Sequence, residues 1–236
     1  MSIFDPSNFS SLKGEFEAEG LTRDEIAAEA LFAARHSLNY LVKIGGCEAK
    51  SDAEFLQRAG ITSIVAPMIE SAFAMKKYMG ILPVGVFPHV GVTIETVTAV
   101  DRIEAILDAG TKLTHVTVGR TDLTASYDGD GVDSERTMEM VKTTLRAARA
   151  RGLGTTIGGS VSTKTRSMLQ QNAELRGLID SVETRKAVMP TAKFIEVGAL
   201  ESAIAIELDL LEIRAGPLAE RANSANSRVS QVRARL

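Results

Sequence analysis

Two short segments constrain this chain more than the rest of it: Val92-Thr93-Ile94-Glu95-Thr96 and Val116-Thr117-Val118-Gly119-Arg120-Thr121-Asp122-Leu123-Thr124. Each is a β-branched run that ends in a carboxylate and leads into a helical pattern. Asp122 follows Glu95 by 27 positions, about one strand–helix repeat. Such a repeat makes the strands parallel neighbours and brings both carboxylates to one spot at their C-terminal ends. Oxygen ligands placed this way suit a hard divalent cation such as Mg²⁺, which keeps several of its waters.

The same alternation runs along the chain. Strands are predicted at Lys13–Ala18, Tyr40–Ile44, Ser63–Ala66, Gly91–Glu95, His115–Val118, Thr155–Ile157 and Ile179–Glu183, with a weaker eighth at Lys193–Val197. Helices are predicted at Arg23–Ser37, Asp52–Ala59, Ser71–Met79, Val97–Ala109, Asp133–Ala150, Thr165–Glu174 and Leu200–Ile213. Thr22 and Glu25 have the spacing of a capping box, and Ser51 or Asp52 is the expected cap of the second helix. Gly60, Gly110 and Gly152 follow helical patterns, where glycine ends a helix readily.

Seven or eight such units within 236 residues predict a TIM (β/α)₈ barrel. The chain starts too close to its first strand for a full preceding unit, so an irregular or missing first βα unit is expected. A doubly wound sheet is the runner-up, but no Gly-x-Gly-x-x-Gly opens a helix after the first strand. Residues 1–216 read as one barrel domain. Residues 217–236, rich in Ala, Ser, Asn and Arg, read as a C-terminal tail or oligomerisation arm, with Leu218, Val229, Val232 and Leu236 at a sparse helical spacing.

Composition narrows the function. With a net charge of −3 and no basic stripe, nucleic acid is not an expected partner. No apolar run approaches a membrane span, and the first twenty residues lack a signal-peptide pattern, so a cytoplasmic location is expected. A single cysteine, Cys47, rules out an internal disulfide. Aromatic residues make up 5% of the chain and Trp is absent, so polar side chains and backbone amides must do most of the ligand recognition.

Barrel enzymes place their chemistry at the C-terminal ends of strands. Those ends carry Glu17 and Glu19, Lys43, Glu70, Glu95, Asp122, Gly158-Gly159-Ser160, and Glu183 with Arg185. Each has an ordinary structural alternative. Glu95, Asp122 and Glu70 are also suitable helix caps. Lys43 is also a suitable ion-pair partner for Glu15 or Glu17, and Arg185 for Glu183 or Glu17. His36, His89 and His115 fall away from the active face. Cys47 has no histidine close in sequence to activate it.

Val65-Ala66-Pro67-Met68-Ile69-Glu70-Ser71, Thr93-Ile94-Glu95-Thr96 and Gly119-Arg120-Thr121-Asp122-Leu123-Thr124, in that order and spacing, resemble the signatures of the HpcH/HpaI aldolase and citrate lyase family of the phosphoenolpyruvate/pyruvate barrel superfamily. The resemblance spans roughly Lys13 to Arg185. It implies an oligomeric (β/α)₈ barrel with Mg²⁺ or Mn²⁺ held by Glu95 and Asp122, and backbone amides around Thr121 and Asp122 that bind the carboxylate of a pyruvate-like group. Gly119, Thr121, Asp122 and Glu70 are then the substrate-binding residues, and Lys43, Glu17 and Arg185 the catalytic candidates.

Two departures stand out. Lys43 takes the place of an arginine, which it does not replace as a fork donor. The Gly-Glu-His of the aldolase branch is absent from Glu15-Phe16-Glu17-Ala18-Glu19-Gly20, so Glu17 or Glu19 becomes the candidate base.

The implied activity is a divalent-metal-dependent carbon–carbon lyase acting on a 2-oxo acid, or related carboxylate, through a pyruvate enolate. Three alternatives stay open. They are a phosphoenolpyruvate-using transferase on the same metal site, a Schiff-base aldolase using Lys43, and a non-catalytic keto-acid-binding barrel. Homo-oligomerisation is also expected. Ile204, Ile206, Leu208, Leu210, Leu211 and Ile213 are too many apolar residues for a helix with one buried stripe, although such a helix also suits the gap left by a missing unit.

Overall fold

The computed structural model describes residues 5–233. Eight strands close into a barrel in chain order: β1 (Ser11–Glu15), β2 (Asn39–Lys43), β3 (Ser63–Ala66), β4 (His89–Ile94), β5 (His115–Gly119), β6 (Gly154–Gly158), β7 (Ser181–Glu183) and β8 (Ala187–Pro190). The helices that follow are α1 (Arg23–Arg35), α2 (Lys50–Arg58), α3 (Ala72–Ile81), α4 (Val97–Asp101), α5 (Ile103–Asp108), α6 (Arg120–Ala125), α7 (Glu135–Ala150), α8 (Thr163–Gln171), α9 (Ala173–Gly177), α10 (Thr191–Phe194) and α11 (Ala199–Arg233). Among the described residues no helix is long and apolar enough to cross a membrane.

The irregular unit lies at the opposite end of the chain from the one expected. The first βα unit is complete: β1 is followed by α1, whose Thr22–Glu25 capping box forms as read from the sequence, and β1 pairs parallel with β2 along its whole length. The irregularity is β8. It occupies Ala187–Pro190 rather than Lys193–Val197, where Lys193 lies in the short α10. It runs antiparallel to both neighbours, Val182 opposing Met189 on β7 and Ser11 opposing Val188 on β1. Only Thr184-Arg185-Lys186 separates β7 from β8, far short of the dozen or more residues a parallel crossover needs. A short strand ending in Pro190 carries a weak sequence signal.

Smaller differences concern helices: the predicted Thr165–Glu174 helix is broken at Asn172, giving α8 and α9, and the predicted Leu200–Ile213 helix runs on to Arg233 as α11. The predicted Val97–Ala109 helix is interrupted at Arg102, giving α4 and α5. The cap position of α2 is Ala49 rather than Ser51 or Asp52, and Asp52 instead accepts the Gly45 N–H at 3.0 Å.

The two faces of the sheet differ in chemistry. Leu12, Val42, Ile64, Val92, Ile94, Val116, Val118 and Ile157 face outward and form one core with Ile26, Leu56, Met75, Ile106, Val141 and Leu145 of the surrounding helices. The alternate positions, Lys13 and Glu15 on β1, Lys43 on β2, Thr93 on β4 and Thr117 on β5, are also buried but line the barrel interior. Strand side chains alternate with a period of two. Val-Thr-Ile-Glu and Val-Thr-Val-Gly therefore place their branched apolar residues under the helices and their polar residues in the lumen.

Candidate active site at the barrel mouth

A cavity of about 760 Å³ opens at the C-terminal end of the barrel. Its lining includes five carboxylates (Glu15, Glu95, Asp122, Glu183 and Glu207) and three cations (Lys13, Lys43 and Arg185). Carboxylates exceed cations, so the site has capacity for a further positive charge.

Glu95 stands directly beyond β4 and is 2% exposed. Its Oε1 accepts the Met68 N–H at 2.9 Å. Met68 holds a left-handed backbone (φ 51°) to make that bond, a conformation that costs a non-glycine residue on the order of 1 kcal/mol. This contact accounts for the Ala66-Pro67-Met68 segment after β3. Burial pushes the Glu95 carboxyl up to about 7; Lys43 and the Met68 N–H oppose the rise, and Asp122 and Glu17 reinforce it. The ordinary alternative for Glu95 and Asp122 does not hold. Thr96 caps α4 by accepting the Ala99 N–H, and Asp122 sits in the first turn of α6.

Glycine makes room for this pair. A side chain on Gly119 would lie 2.8 Å from Glu95 Oε2. Gly159, with φ +81°, passes so close to α6 that an added Cβ would come within 2.5 Å of the Thr121 nitrogen. The Gly158-Gly159 turn is tied to α6 by Arg120, whose guanidinium is fully buried. It donates to Gly158 O (3.1 Å), Gly159 O (3.0 Å), Asp133 (2.8 Å) and Thr165 Oγ1 (3.2 Å). Thr121 Oγ1 lies 3.1 Å from Ser160 Oγ across the same turn.

Lys43, at the end of β2, reaches Glu17 Oε2 at 3.1 Å and Glu95 Oε2 at 3.7 Å. Burial works against its charge, but Glu95, Glu15 and Glu17 outweigh that and hold its pKa above the ordinary lysine value. A second buried ammonium, Lys13, contacts Glu15 at 2.5 Å and Glu183 at 2.6 Å. Burial opposes its charge too, and Glu183 and Glu15 again prevail. Sequence reasoning passed over Lys13, since its place on β1 carries no motif. Alternation from the inward-facing Glu15 is the one signal that marks it.

The predicted residues do not all converge. Lys43, Glu95, Gly119, Thr121 and Asp122 meet at the cavity, and Glu17 stands outside its lining, joined to it through Lys43. Arg185 lines its rim and pairs with Glu207 of α11 at 3.7 Å. Glu70 stands outside the lining, accepting from Thr96 Oγ1 at 2.7 Å, and Ser71 rather than Glu70 caps α3. Glu19 faces away from the cavity, against Lys186 and Arg214. The donors suit a hard, oxygen-preferring cation: the buried Glu95 carboxylate and Asp122 share one wall of a carboxylate-rich cavity. No cluster of three His, Cys, Asp or Glu side chains poised to hold a metal occurs among the described residues, so water or substrate oxygens must complete any coordination shell.

No protein-family model and no curated protein matches the sequence. Solved structures do resemble the fold. An HpcH/HpaI aldolase/citrate lyase family protein from Burkholderia cenocepacia J2315 is 16% identical, with 91% of this chain and 92% of that one covered at a TM-score of 0.63. An HpcH/HpaI aldolase from Desulfitobacterium hafniense DCB-2 is 16% identical, with 87% and 85% covered at 0.62. A citrate lyase beta subunit from M. tuberculosis, complexed with oxaloacetate and magnesium, is 21% identical, with 76% and 86% covered at 0.53. The chain thus has the barrel fold of the HpcH/HpaI aldolase and citrate lyase proteins.

Proposed function

We propose that this chain is a divalent-metal-dependent carbon–carbon lyase of the aldolase type, acting on a 2-oxo acid through a pyruvate enolate. The observation that carries the reading is the buried Glu95 carboxylate beside Asp122 at the barrel mouth, with the Lys43 ammonium 3.7 Å from it. The similarity to a fold that binds oxaloacetate and magnesium in the M. tuberculosis protein supports it.

Glu95 and Asp122 are the residues that would hold the metal. Mg²⁺, or Mn²⁺, supplies Lewis-acid charge for the carboxylate and keto oxygens of a 2-oxo acid when bound. The backbone N–H groups of Thr121 and Asp122, kept open by Gly159, receive the substrate carboxylate. Lys43 places positive charge where the enolate oxygen develops, a contribution typically on the order of 10²–10³ in rate. Because its carboxylate neighbours keep it protonated, Lys43 acts as a charge and not as a Schiff-base nucleophile. Glu17, 3.1 Å from the Lys43 nitrogen and partly open to solvent, orients that ammonium and is the carboxylate placed to carry a proton in place of the missing histidine. Arg185 meets the far end of the substrate at the rim. The carboxylate excess in the lining favours a carboxylate substrate over a phosphate ester, which would require unpaired cations.

The test is exchange of pyruvate methyl protons in D₂O, followed by NMR with Mg²⁺ and with EDTA. Metal-dependent exchange is expected. No exchange under either condition would leave only a binding barrel. A stoichiometric adduct on Lys43 after borohydride and pyruvate would move the protein to the Schiff-base class.

A further inference from the structure

Three charged groups of the barrel lumen take no part in the chemistry proposed above: Lys13 and Glu15 on β1, and Glu183 at the end of β7. All three line the mouth cavity. Lys13 ties the two carboxylates together, reaching Glu15 at 2.5 Å and Glu183 at 2.6 Å. In a closed barrel of eight strands β1 stands opposite β5. This group therefore faces the wall that carries Glu95 and Asp122.

The floor between the two walls is bare backbone. Gly119 of β5 and Gly158 of β6 are partners in register. A Cβ added to Gly119 would meet Glu95 Oε2 at 2.8 Å, and one added to Gly158 would meet Glu183 Oε1 at 3.5 Å. Neighbouring strands lie about 5 Å apart, so the Glu95 and Glu183 carboxylates stand within about 12 Å of each other across this pair of glycines. A chain of a few carbons with its oxygens fits between them.

The two carboxylates on Lys13 differ in what else holds them. Burial raises the Glu15 carboxyl, but Lys13 and Lys43 outweigh it and keep it below the ordinary carboxylate range. Glu183 has Lys13 as its one cation partner among the described residues. Lys13 occupies its Oε1, and no described donor reaches its Oε2. Glu183 thus has an oxygen free to accept a proton, and its side chain is 13% exposed, at the edge of the cavity rather than sealed beneath it.

We infer that Glu183 is the base that accepts the hydroxyl proton when a 4-hydroxy-2-oxo acid is cleaved, an assignment that rests on the aldolase reading of the same site. The C4 hydroxyl gives its proton to Glu183 Oε2, and the O–H electron pair becomes the second bond of the aldehyde carbonyl. The C3–C4 bond breaks, and its electron pair passes into the pyruvate enolate. C3 then takes a proton from the side of Glu17 and Lys43, and Glu183 releases its own to water through the open mouth. The two protons move at different walls, so two groups handle them. Lys13, with Glu15 as its second partner, fixes the Glu183 carboxylate in place. A positioned general base contributes about 10²–10⁴ in rate.

Two reactions separate this role from the rest of the site. Cleavage of 4-hydroxy-2-oxopentanoate with Mg²⁺ needs the hydroxyl proton removed; exchange of pyruvate methyl protons in D₂O does not. Glu183→Gln should slow cleavage at least 100-fold and leave exchange within about threefold of the unaltered chain, which also shows that the barrel is folded. Glu183→Asp should recover at least tenfold of the lost cleavage. Glu15→Gln, which takes the other carboxylate from Lys13, should slow cleavage at least tenfold less than Glu183→Gln. Equal loss of cleavage and exchange in Glu183→Gln, equal loss of cleavage in Glu15→Gln and Glu183→Gln, or an unaltered chain that exchanges pyruvate protons without cleaving the hydroxy acid would each overturn the assignment. An unaltered chain that fails to exchange pyruvate protons would instead overturn the enolate reading on which it rests.

Discussion

Two buried clusters in this barrel are built from the same parts and differ in what surrounds them. At the mouth, Lys43 lies between Glu17 and Glu95 beside an open cavity. Outside the barrel wall, Lys186 in the β7–β8 turn contacts Glu19 and both oxygens of Glu29 at 3.0 Å, and Tyr40 donates to Glu29 at 2.7 Å. Lys186 and Glu29 are each 1% exposed, so that cluster is closed. Burial raises the Glu29 pKa, and Lys186 and the Tyr40 hydroxyl oppose the rise. In the closed cluster the ligands of each charge are all protein groups, and it joins α1 to the hairpin that replaces a regular last unit. In the open cluster the carboxylates outnumber the cations and face space. Removing a charge should therefore cost function at the mouth and stability at the wall.

The largest effect is expected where the open cluster has no substitute. Glu95→Gln and Asp122→Asn should each lower metal-dependent turnover by at least about 10³, equivalent to about 4 kcal/mol, with thermal unfolding little changed. Calorimetric Mg²⁺ affinity unaltered in both variants would sink the assignment. At the wall, Lys186→Met leaves the buried Glu29 without a cation and Glu19 with Arg214 alone, and should cost about 3–5 kcal/mol of folding stability by denaturant titration. Adding Glu29→Gln should recover part of that loss. No recovery would mean that the cluster does not behave as one unit. Lys43→Met should reduce turnover by about 10²–10³ while its unfolding midpoint moves far less than that of Lys186→Met. Equal destabilisation of the two would erase the contrast.

The smallest of these effects comes from the opposite end of the barrel. His115 begins β5, packs its ring over Gly91, and has a buried Nε2 without a partner. Burial, with His89 nearby, lowers its pKa to about 4. The unfolded chain, with an ordinary histidine near 6.5, binds the proton first, so stability is full above pH 6.5 and falls as the pH drops toward 4. One pKa unit corresponds to about 1.4 kcal/mol, so the full loss is about 3 kcal/mol. His115→Gln should flatten this pH dependence in unfolding titrations. An unchanged slope would assign the acid sensitivity to other groups.

Much of this was legible in the residues. Thr22 and Glu25 announced the start of α1 because a capping box is local chemistry. Glu95 and Asp122 announced themselves because a β-branched run has a period of two, and a repeat of 27 residues makes parallel neighbours. The number of repeats and the closure of β1–β6 followed from the same periodicity. What stayed hidden depended on partners far away in the chain. Lys13 looks like any strand lysine until Glu183, 170 residues later, lies 2.6 Å from it. Glu17 and Glu19 are indistinguishable in sequence, yet one turns to Lys43 and the other to Lys186. Arg120 reads as a motif filler, and only the return of β6 beside β5 gives it two carbonyls to hold. The direction of β8 was set by a three-residue turn too short for a crossover. Local patterns determine elements and the face each residue takes, because propensity, capping and alternation act over a few residues. Which buried charges meet, and whether they face protein or open space, is decided by tertiary closure, because a low-dielectric interior makes a charge answer to whatever the fold brings within a few ångströms.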